Sequence, residues 1–422
     1  MENTREFTFF KLNNGIRVVH KTSNTPIVHF GFFIDAGSRD EALSEKGMAH
    51  FIEHVIFKGT KSRRSSQIFN AIENLGGELN AYTAKEETCI HCSVLKEHFE
   101  IAADVISDVV FNSIFPEKEL EKEKDIIVDE YYYYKDIPEE VILDDFDELV
   151  FPHHPLGWNI LGEPSRVKQF AREDISNFIN NNYQPDKMVI SIVGDLEEKM
   201  MKKVLQKYFD VEHPSNGKPT VRKAFKGYKP VKKEFKKKIF QSHCVMGRPA
   251  YSVFDKRRLG LVILNNLLGG PASNARLNMA VREKHGLTYN IESGYSSFSD
   301  TGLFRIYVST ETDSMEKTLG LIYKELQKLR ENKLSTLQLS RVKKQMMGNV
   351  ALSYESKIAE MLSIGKAYLV FDKVDTIAQI NSKIQKITAS ELWETANDIF
   401  DTNRFSTIIY LSNESYRTED LC

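Results

Sequence analysis

Cysteine is scarce in this chain: Cys89, Cys92, Cys244 and Cys422 are the only four in 422 residues. That is too few, and too scattered, for a disulfide framework in a chain of this size. No apolar run is long enough to span a membrane. The opening Met1-Glu2-Asn3-Thr4-Arg5-Glu6 has neither the basic-then-apolar order of a signal peptide nor the Arg-rich, acid-poor character of a transit peptide. A cytoplasmic location is therefore expected. Excess charge is missing too: a net charge of -2 gives no reason to expect nucleic acid or a membrane surface as partner. The one basic cluster, Lys232-Lys233-Glu234-Phe235-Lys236-Lys237-Lys238, reads as a solvated linker or strand edge. What remains, 41% apolar and 27% charged, is an ordinary globular composition, and 422 residues call for two or more domains.

The stretch with the most chemistry is His50-Phe51-Ile52-Glu53-His54, between Gly47 and Gly59. Met48, Phe51, Ile52 and Val55 recur at the spacing of one helical face, which is the core face. At about 100° per residue His50, Glu53 and His54 fall together on the other side. Two imidazoles one turn apart can share a zinc ion, and a carboxylate just before the second is placed to take a proton from a bound water. The order H-x-x-E-H reverses the commoner H-E-x-x-H.

Two histidines do not hold a catalytic zinc firmly, so a carboxylate from elsewhere is expected. The helix predicted from Glu117 onward carries an apolar stripe of Leu120, Ile127 and Tyr131, with Glu123 and Glu130 sharing a face beside it. Carboxylates at the edge of a core ask for a cation. Glu119 lies at much the same azimuth, but in the first turn the helix dipole alone explains an acid. Glu130 is preferred as ligand and Glu123 as its support, although spacing by itself leaves the choice among the acids open.

Elsewhere, Asn14-Gly15 marks a hairpin feeding a buried strand over residues 27–34, and Gly76-Gly77 stops a helix before a second strand pair. Cys89-Ile90-His91-Cys92 lies in an alternating strand, where sulfurs three apart point to opposite faces and cannot share a metal. His153 and His154, between prolines, read as loop residues. Pro214-Ser215-Asn216-Gly217-Lys218-Pro219 is the best linker, dividing the chain into domains 1–213 and 237–422 joined by 214–236. A shift of 217 residues aligns residues 187–193 with 404–410, and Gly76 and Asn80 resemble Gly286 and Asn290, the signs of a duplicated unit. The second half has no H-x-x-E-H. Residues 334–370 read as a long amphipathic helical stretch, and Arg282 and Tyr289, taken alone, as surface and strand residues.

Taken together, these residues resemble the pitrilysin family of zinc peptidases, the inverzincins, and within it the processing-peptidase-like branch of half-length chains. The matching pieces are Asn14-Gly15-Ile16-Arg17-Val18, residues 31–38, His50-Phe51-Ile52-Glu53-His54 with Phe57-Lys58-Gly59-Thr60, Asn80-Ala81-Tyr82-Thr83, the acids from Glu123 to Glu130, residues 153–162 and residues 282–289. Trp158-Asn159 departs from the Arg-Pro pair that many relatives have there. The resemblance implies an α+β chain of two tandem, duplicated α/β-roll domains, each a mostly antiparallel sheet with helices packed on it, forming half of a clamshell. It implies zinc on His50, His54 and Glu130, with Glu53 as general base and Glu123 as supporting acid. Arg282 and Tyr289 would stabilise the reacting carbonyl at a partner's zinc, in a homodimer or in a heterodimer with a related subunit. The strand at Asn80 and Ala81 would pair with substrate backbone. The expected activity is endopeptidase cleavage of unfolded peptides inside a dimeric chamber. Rival expectations are a maturation protease for one precursor, or a non-catalytic peptide-binding or scaffold subunit.

Overall fold

The computed structural model describes residues 6–211, 217 and 220–413, which form two compact units. The first unit is built on a six-stranded sheet of β1 (Phe7–Lys11), β2 (Arg17–Thr22), β3 (Ile27–Ile34), β4 (Glu78–Thr83), β5 (Thr88–Leu95) and β6 (Met188–Gly194), in the order β1-β2-β6-β3-β5-β4. Only β2 and β6 run parallel; the other four pairings are antiparallel. The central strands bury both faces. Phe30, Phe32, Ile90, Cys92, Ile190 and Ile192 face one core, with Met48, Phe51 and Val105 from the helices α1 (Met48–Val55) and α3 (Phe99–Asn112); α2 (Ser65–Glu73) adds Ile68 and Ile72. Val19, Phe33, Cys89, Val189 and Val193 face the other core, under Met361, Ile364 and Leu369 of the helix Lys357–Phe371. Cys89 and Cys92 thus stand on opposite faces, as strand alternation requires; both are free and buried, and Cys422 lies outside the described residues. That helix comes so near β3 that a side chain at Gly365 would put its Cβ 2.1 Å from the Phe33 ring.

The second unit repeats the plan. Its sheet contains β7 (Lys232–Lys237), β8 (Ser242–Ala250), β9 (Ile291–Ser297), β10 (Gly302–Thr310) and β11 (Ser406–Ser412), in the order β7-β11-β8-β10-β9. This matches β2-β6-β3-β5-β4 strand for strand, including one parallel pairing followed by three antiparallel ones. The duplication read from the 217-residue shift is therefore structural. The Lys-rich run forms the edge strand β7, where charge on a solvated strand discourages further pairing.

Sequence division and structure differ over two helical segments. Residues 133–157 belong with the second unit and residues 351–376 with the first, so neither unit matches the contiguous divisions 1–213 and 237–422. The apolar stripe of each segment explains the exchange. Val141, Ile142, Phe146 and Val150 of α5 (Pro138–Val150), which follows α4 (Glu117–Lys135), pack on Val245, Leu303, Tyr307 and Tyr410 of the second sheet. The helix Lys357–Phe371 covers the first sheet in the same way. The single long stretch expected over 334–370 is accordingly two helices, Thr336–Ser353 and Lys357–Phe371, with the Ser356 side chain capping the second. Part of the expected linker lies outside the described residues; its end, from Lys232, is β7, and Arg222 is held in the first unit by Asp35 and Asp40.

Candidate metal centre

Helix α1 is fixed before its polar face is considered. Met48, Phe51, Ile52 and Val55 are fully buried, so the helix cannot turn about its axis without exposing them. Its N-terminus is held from outside: the buried carboxyl group of Glu41 accepts the N–H groups of Gly47 and Ala49, both at 2.9 Å. These are two of the donors a helix start leaves unpaired. Gly47 has φ +94° and abuts the backbone of Gly162, 2.8 Å from where a Cβ would stand. Glycine is required there on both counts.

The other face carries His50, Glu53 and His54. The imidazole centres are 4.6 Å apart. His50 Nε2 and His54 Nε2 approach Glu130 Oε2 of α4 at 3.8 and 3.3 Å, and the ligand atoms of the three residues lie within 4.8 Å of one another. Zinc bonds of about 2.0–2.2 Å place tetrahedral ligand atoms about 3.3–3.6 Å apart, so the set closes on one ion once its widest-spaced ligand atoms, which lie within 4.8 Å, draw together by up to about 1.5 Å. Glu130 Oε2 is buried with no hydrogen-bond partner among the described residues, which is the state of an oxygen shaped for a cation. Burial, reinforced by neighbouring His54, drives the His50 pKa down to about 3 and keeps its lone pair free.

Glu123 sits two turns before Glu130, anchored by buried Leu120 and Ile127 on the same helix. Its Oε2 lies 3.3 Å from His54 Nδ1, and Lys58 Nζ donates to its Oε1 at 2.8 Å. Burial pushes the carboxyl up, but the hydrogen bonds from His54 and Lys58 outweigh it and hold it below the usual range. An ionised Glu123 accepts the Nδ1 proton of His54, which leaves Nε2 as the free lone pair. Burial raises the Glu53 carboxyl above its ordinary value, against hydrogen bonding from Thr83. It is thereby moved towards the range of a general base at neutral pH.

The structure therefore gathers His50, Glu53, His54, Glu123 and Glu130 in the first unit. Asn80 and Ala81 lie in β4, the free edge of that sheet, and Thr83 of the same strand reaches the Ala49 carbonyl of α1. Arg282 and Tyr289 are in the second unit, where the guanidinium lies 5.5 Å from the ring centre. Both line a cavity of about 430 Å³ beside the edge strand β9. Tyr289 is 80% exposed, so its hydroxyl is free to meet a ligand. His154 is a loop residue, bonded to the carbonyl of Lys223. Sequence reasoning missed Glu41 and the role of Lys58. Lys58 could have been found, since it stands four residues after His54, just past the end of α1; nothing in the sequence singles out Glu41.

Comparison with known proteins places the chain in a family. Residues 17–164 match the sequence model of the insulinase family (peptidase family M16), and residues 169–346 that of the peptidase M16 inactive domain. An uncharacterized zinc protease of Bacillus subtilis, YmxG, is 32% identical over 93% of this chain and 95% of its own. An uncharacterized zinc protease of Rickettsia bellii is 31% identical over 97% and 98%. Among solved structures, a peptidase M16 inactive domain protein from Pseudomonas fluorescens superposes with a TM-score of 0.87 at 18% identity, covering 97% of this chain and 99% of that one. A Helicobacter pylori protease gives 0.84 at 19%, covering 96% and 99%.

Proposed function

The chain belongs to the pitrilysin-type M16 peptidase family as a half-length member, and from that premise we propose that it is a zinc-dependent endopeptidase for unfolded peptides. The observation that carries the reading is the convergence of His50, His54 and Glu130 around a buried, unpartnered carboxylate oxygen, with Glu53 on the same helix face. His50, His54 and Glu130 would hold the ion. Zinc, when bound, supplies Lewis acidity, polarising a water and the scissile carbonyl.

The remaining steps belong to the chain. Glu53 takes a proton from the attacking water and returns it to the leaving amine, its basicity set by burial against Thr83. Glu123 keeps the His54 ring in one tautomer and orientation. The edge strand β4, at Asn80 and Ala81, pairs with substrate backbone and so accepts many sequences. Arg282 and Tyr289 stabilise the developing oxyanion at the zinc of a second copy, which makes a homodimer the working form. No helix among the described residues is long and apolar enough to cross a membrane.

The test compares wild type with Glu53→Gln for zinc content and for cleavage of a mixed peptide library. The variant is expected to keep its zinc and lose turnover by several orders of magnitude. Unchanged turnover would sink the role of Glu53, and a zinc-free wild type would sink the site. Cleavage of many library members supports a general endopeptidase; cleavage of one would point to precursor maturation.

A further inference from the structure

Among the described residues strand β4 has β5 as its only neighbour, and the register fixes which side chains share a face. Glu78 stands opposite Ser93 and Asn80 opposite His91; on the far side of β5, His29 stands opposite Ser93 and Gly31 opposite His91. Directly paired residues project to the same side of a sheet, so Glu78, Asn80, His91, Ser93 and His29 form one polar patch. By strand alternation this is the face of Phe33 and Cys89, which the helix Lys357–Phe371 covers. Helix α1 packs on the opposite face, with Phe32 and Ile90. The free edge of β4 thus divides the metal centre on one side from the polar patch on the other.

The patch floors a cavity of about 480 Å³, lined among others by Glu73, Glu78, Asn80, His91, Ser93 and Ile358. His91 is nine-tenths buried, yet its ring nitrogens make no hydrogen bond with any described residue. Its nitrogens are instead open to the cavity, where a ligand can meet them. Its neighbour His29 is already engaged, with Nδ1 2.7 Å from Ser93 Oγ. At the rim, the carboxylates of Glu73 and Glu78 are exposed and form no ion pair with a described residue. The nearby cation Lys357 is engaged by Glu360 at 2.9 Å. Burial lowers the pKa of both His29 and His91, so neither offsets the two negative charges at neutral pH.

We propose that this cavity is a side-chain subsite for a basic residue, lysine or arginine, of a peptide strand added to the edge of β4. The proposal rests on the peptidase reading and adds a specificity to it. A strand laid along β4 sends alternate side chains to the two faces. One set passes over the metal centre; the other enters the cavity, where a cationic group meets two free carboxylates and the lone pair of a neutral His91. An acidic side chain there meets repulsion. Backbone pairing provides tolerance of sequence, and the cavity a preference at alternate positions.

The test uses the full chain carrying Glu53→Gln and loaded with zinc, so that binding is read without cleavage. Fluorescence anisotropy compares a labelled, extended alanine- and threonine-rich peptide with versions carrying Lys or Glu at each successive position. The expected result is that Lys at one position, or at positions two apart, tightens binding about 10-fold relative to Glu, with the ratio falling as salt is raised. Adding Glu73→Gln and Glu78→Gln should bring that ratio near one; both residues are exposed, and a thermal melt checks that the variant is folded. Absence of binding, a Lys-to-Glu ratio near one at every position, or a preference that survives the double substitution would each overturn the subsite. Hydrolysis of the unsubstituted peptide by the zinc-loaded wild type is measured in parallel. A Lys preference without hydrolysis removes the peptidase reading and leaves the subsite standing.

Discussion

Replacing Lys58 by Met tests how the metal centre is held in shape. The substitution keeps the length of the side chain and removes the ammonium that meets Glu123 Oε1 at 2.8 Å. The Glu123 side chain is only 5% exposed, so it keeps a buried charge opposed by His54 alone. Breaking a fully buried pair costs about 3–5 kcal/mol. The Lys58 side chain is 24% exposed, however, so water replaces part of what is lost, and we expect about 1–2 kcal/mol in the stability of the zinc-free chain. The larger effect is on zinc. Removing a group that orients a metal ligand lowers affinity about 10–100-fold. Lys58 acts one contact further out, through Glu123, so the expected loss is about 10-fold, or about 1.4 kcal/mol. Competition against a chromophoric chelator measures it, and Lys58→Arg should recover most of the affinity because a guanidinium restores the charge. A zinc affinity within two-fold of wild type in Lys58→Met, or an Arg variant no better than Met, would refute the argument.

Other consequences are equally direct. Glu41 is fully buried and its pKa is raised from 4.5 to about 8, first by burial, against the Gly47 and Ala49 N–H groups. The folded chain then binds a proton that the unfolded chain has released between those values, so this group makes stability fall as pH rises from about 5 to 8. Urea unfolding of wild type and Glu41→Gln should therefore diverge in the variant's favour over that window by a few kcal/mol; a pH-independent difference would show Glu41 to be ionised throughout. Gly47→Ala should cost at least about 2 kcal/mol in thermal unfolding, from a left-handed backbone together with a clash at Gly162. Mixing inactive Glu53→Gln with inactive Arg282→Met should restore about a quarter of wild-type activity if Arg282 acts across a dimer, since half the dimers are mixed and each has one intact site. No recovery in a mixture shown to exchange subunits would place Arg282 in the site of its own chain.

The candidate metal face was legible because α1 is short and one-sided. Its four apolar residues leave a single orientation, and that orientation decides where His50, Glu53 and His54 point. Glu130 was legible as one of several acids on an amphipathic helix, but only tertiary geometry separates it from Glu123, because the difference is which carboxylate meets Nε2 and which meets Nδ1. The duplication showed in the 217-residue shift. The exchanged helices could not, since an apolar stripe such as Val141, Ile142, Phe146 and Val150 states that a face is buried and not which sheet buries it. Glu41 was silent for a similar reason: it caps α1 through backbone N–H groups, and such a contact leaves no spacing to read.

The two copies of the duplicated frame present different side chains at the same place. The helix Arg258–Gly269 follows β8 as α1 follows β3, and it packs beside the edge strand β9 as α1 does beside β4. Where α1 presents histidines and a glutamate, this helix presents Asn265 and Asn266, whose Oδ1 and Nδ2 atoms respectively are buried with no hydrogen-bond partner among the described residues. Amides can neither neutralise a divalent cation nor shed a proton, so the second cleft cannot be a second zinc site. It keeps the features that suit an extended peptide, a free strand edge and unsatisfied amide groups, and adds Arg282 and Tyr289. Substituting Asn265 and Asn266 by Ala should therefore leave zinc content at one ion per chain and raise KM for long peptides more than for short ones. An equal effect on both lengths would show that the second cleft contributes only to the stability of its unit.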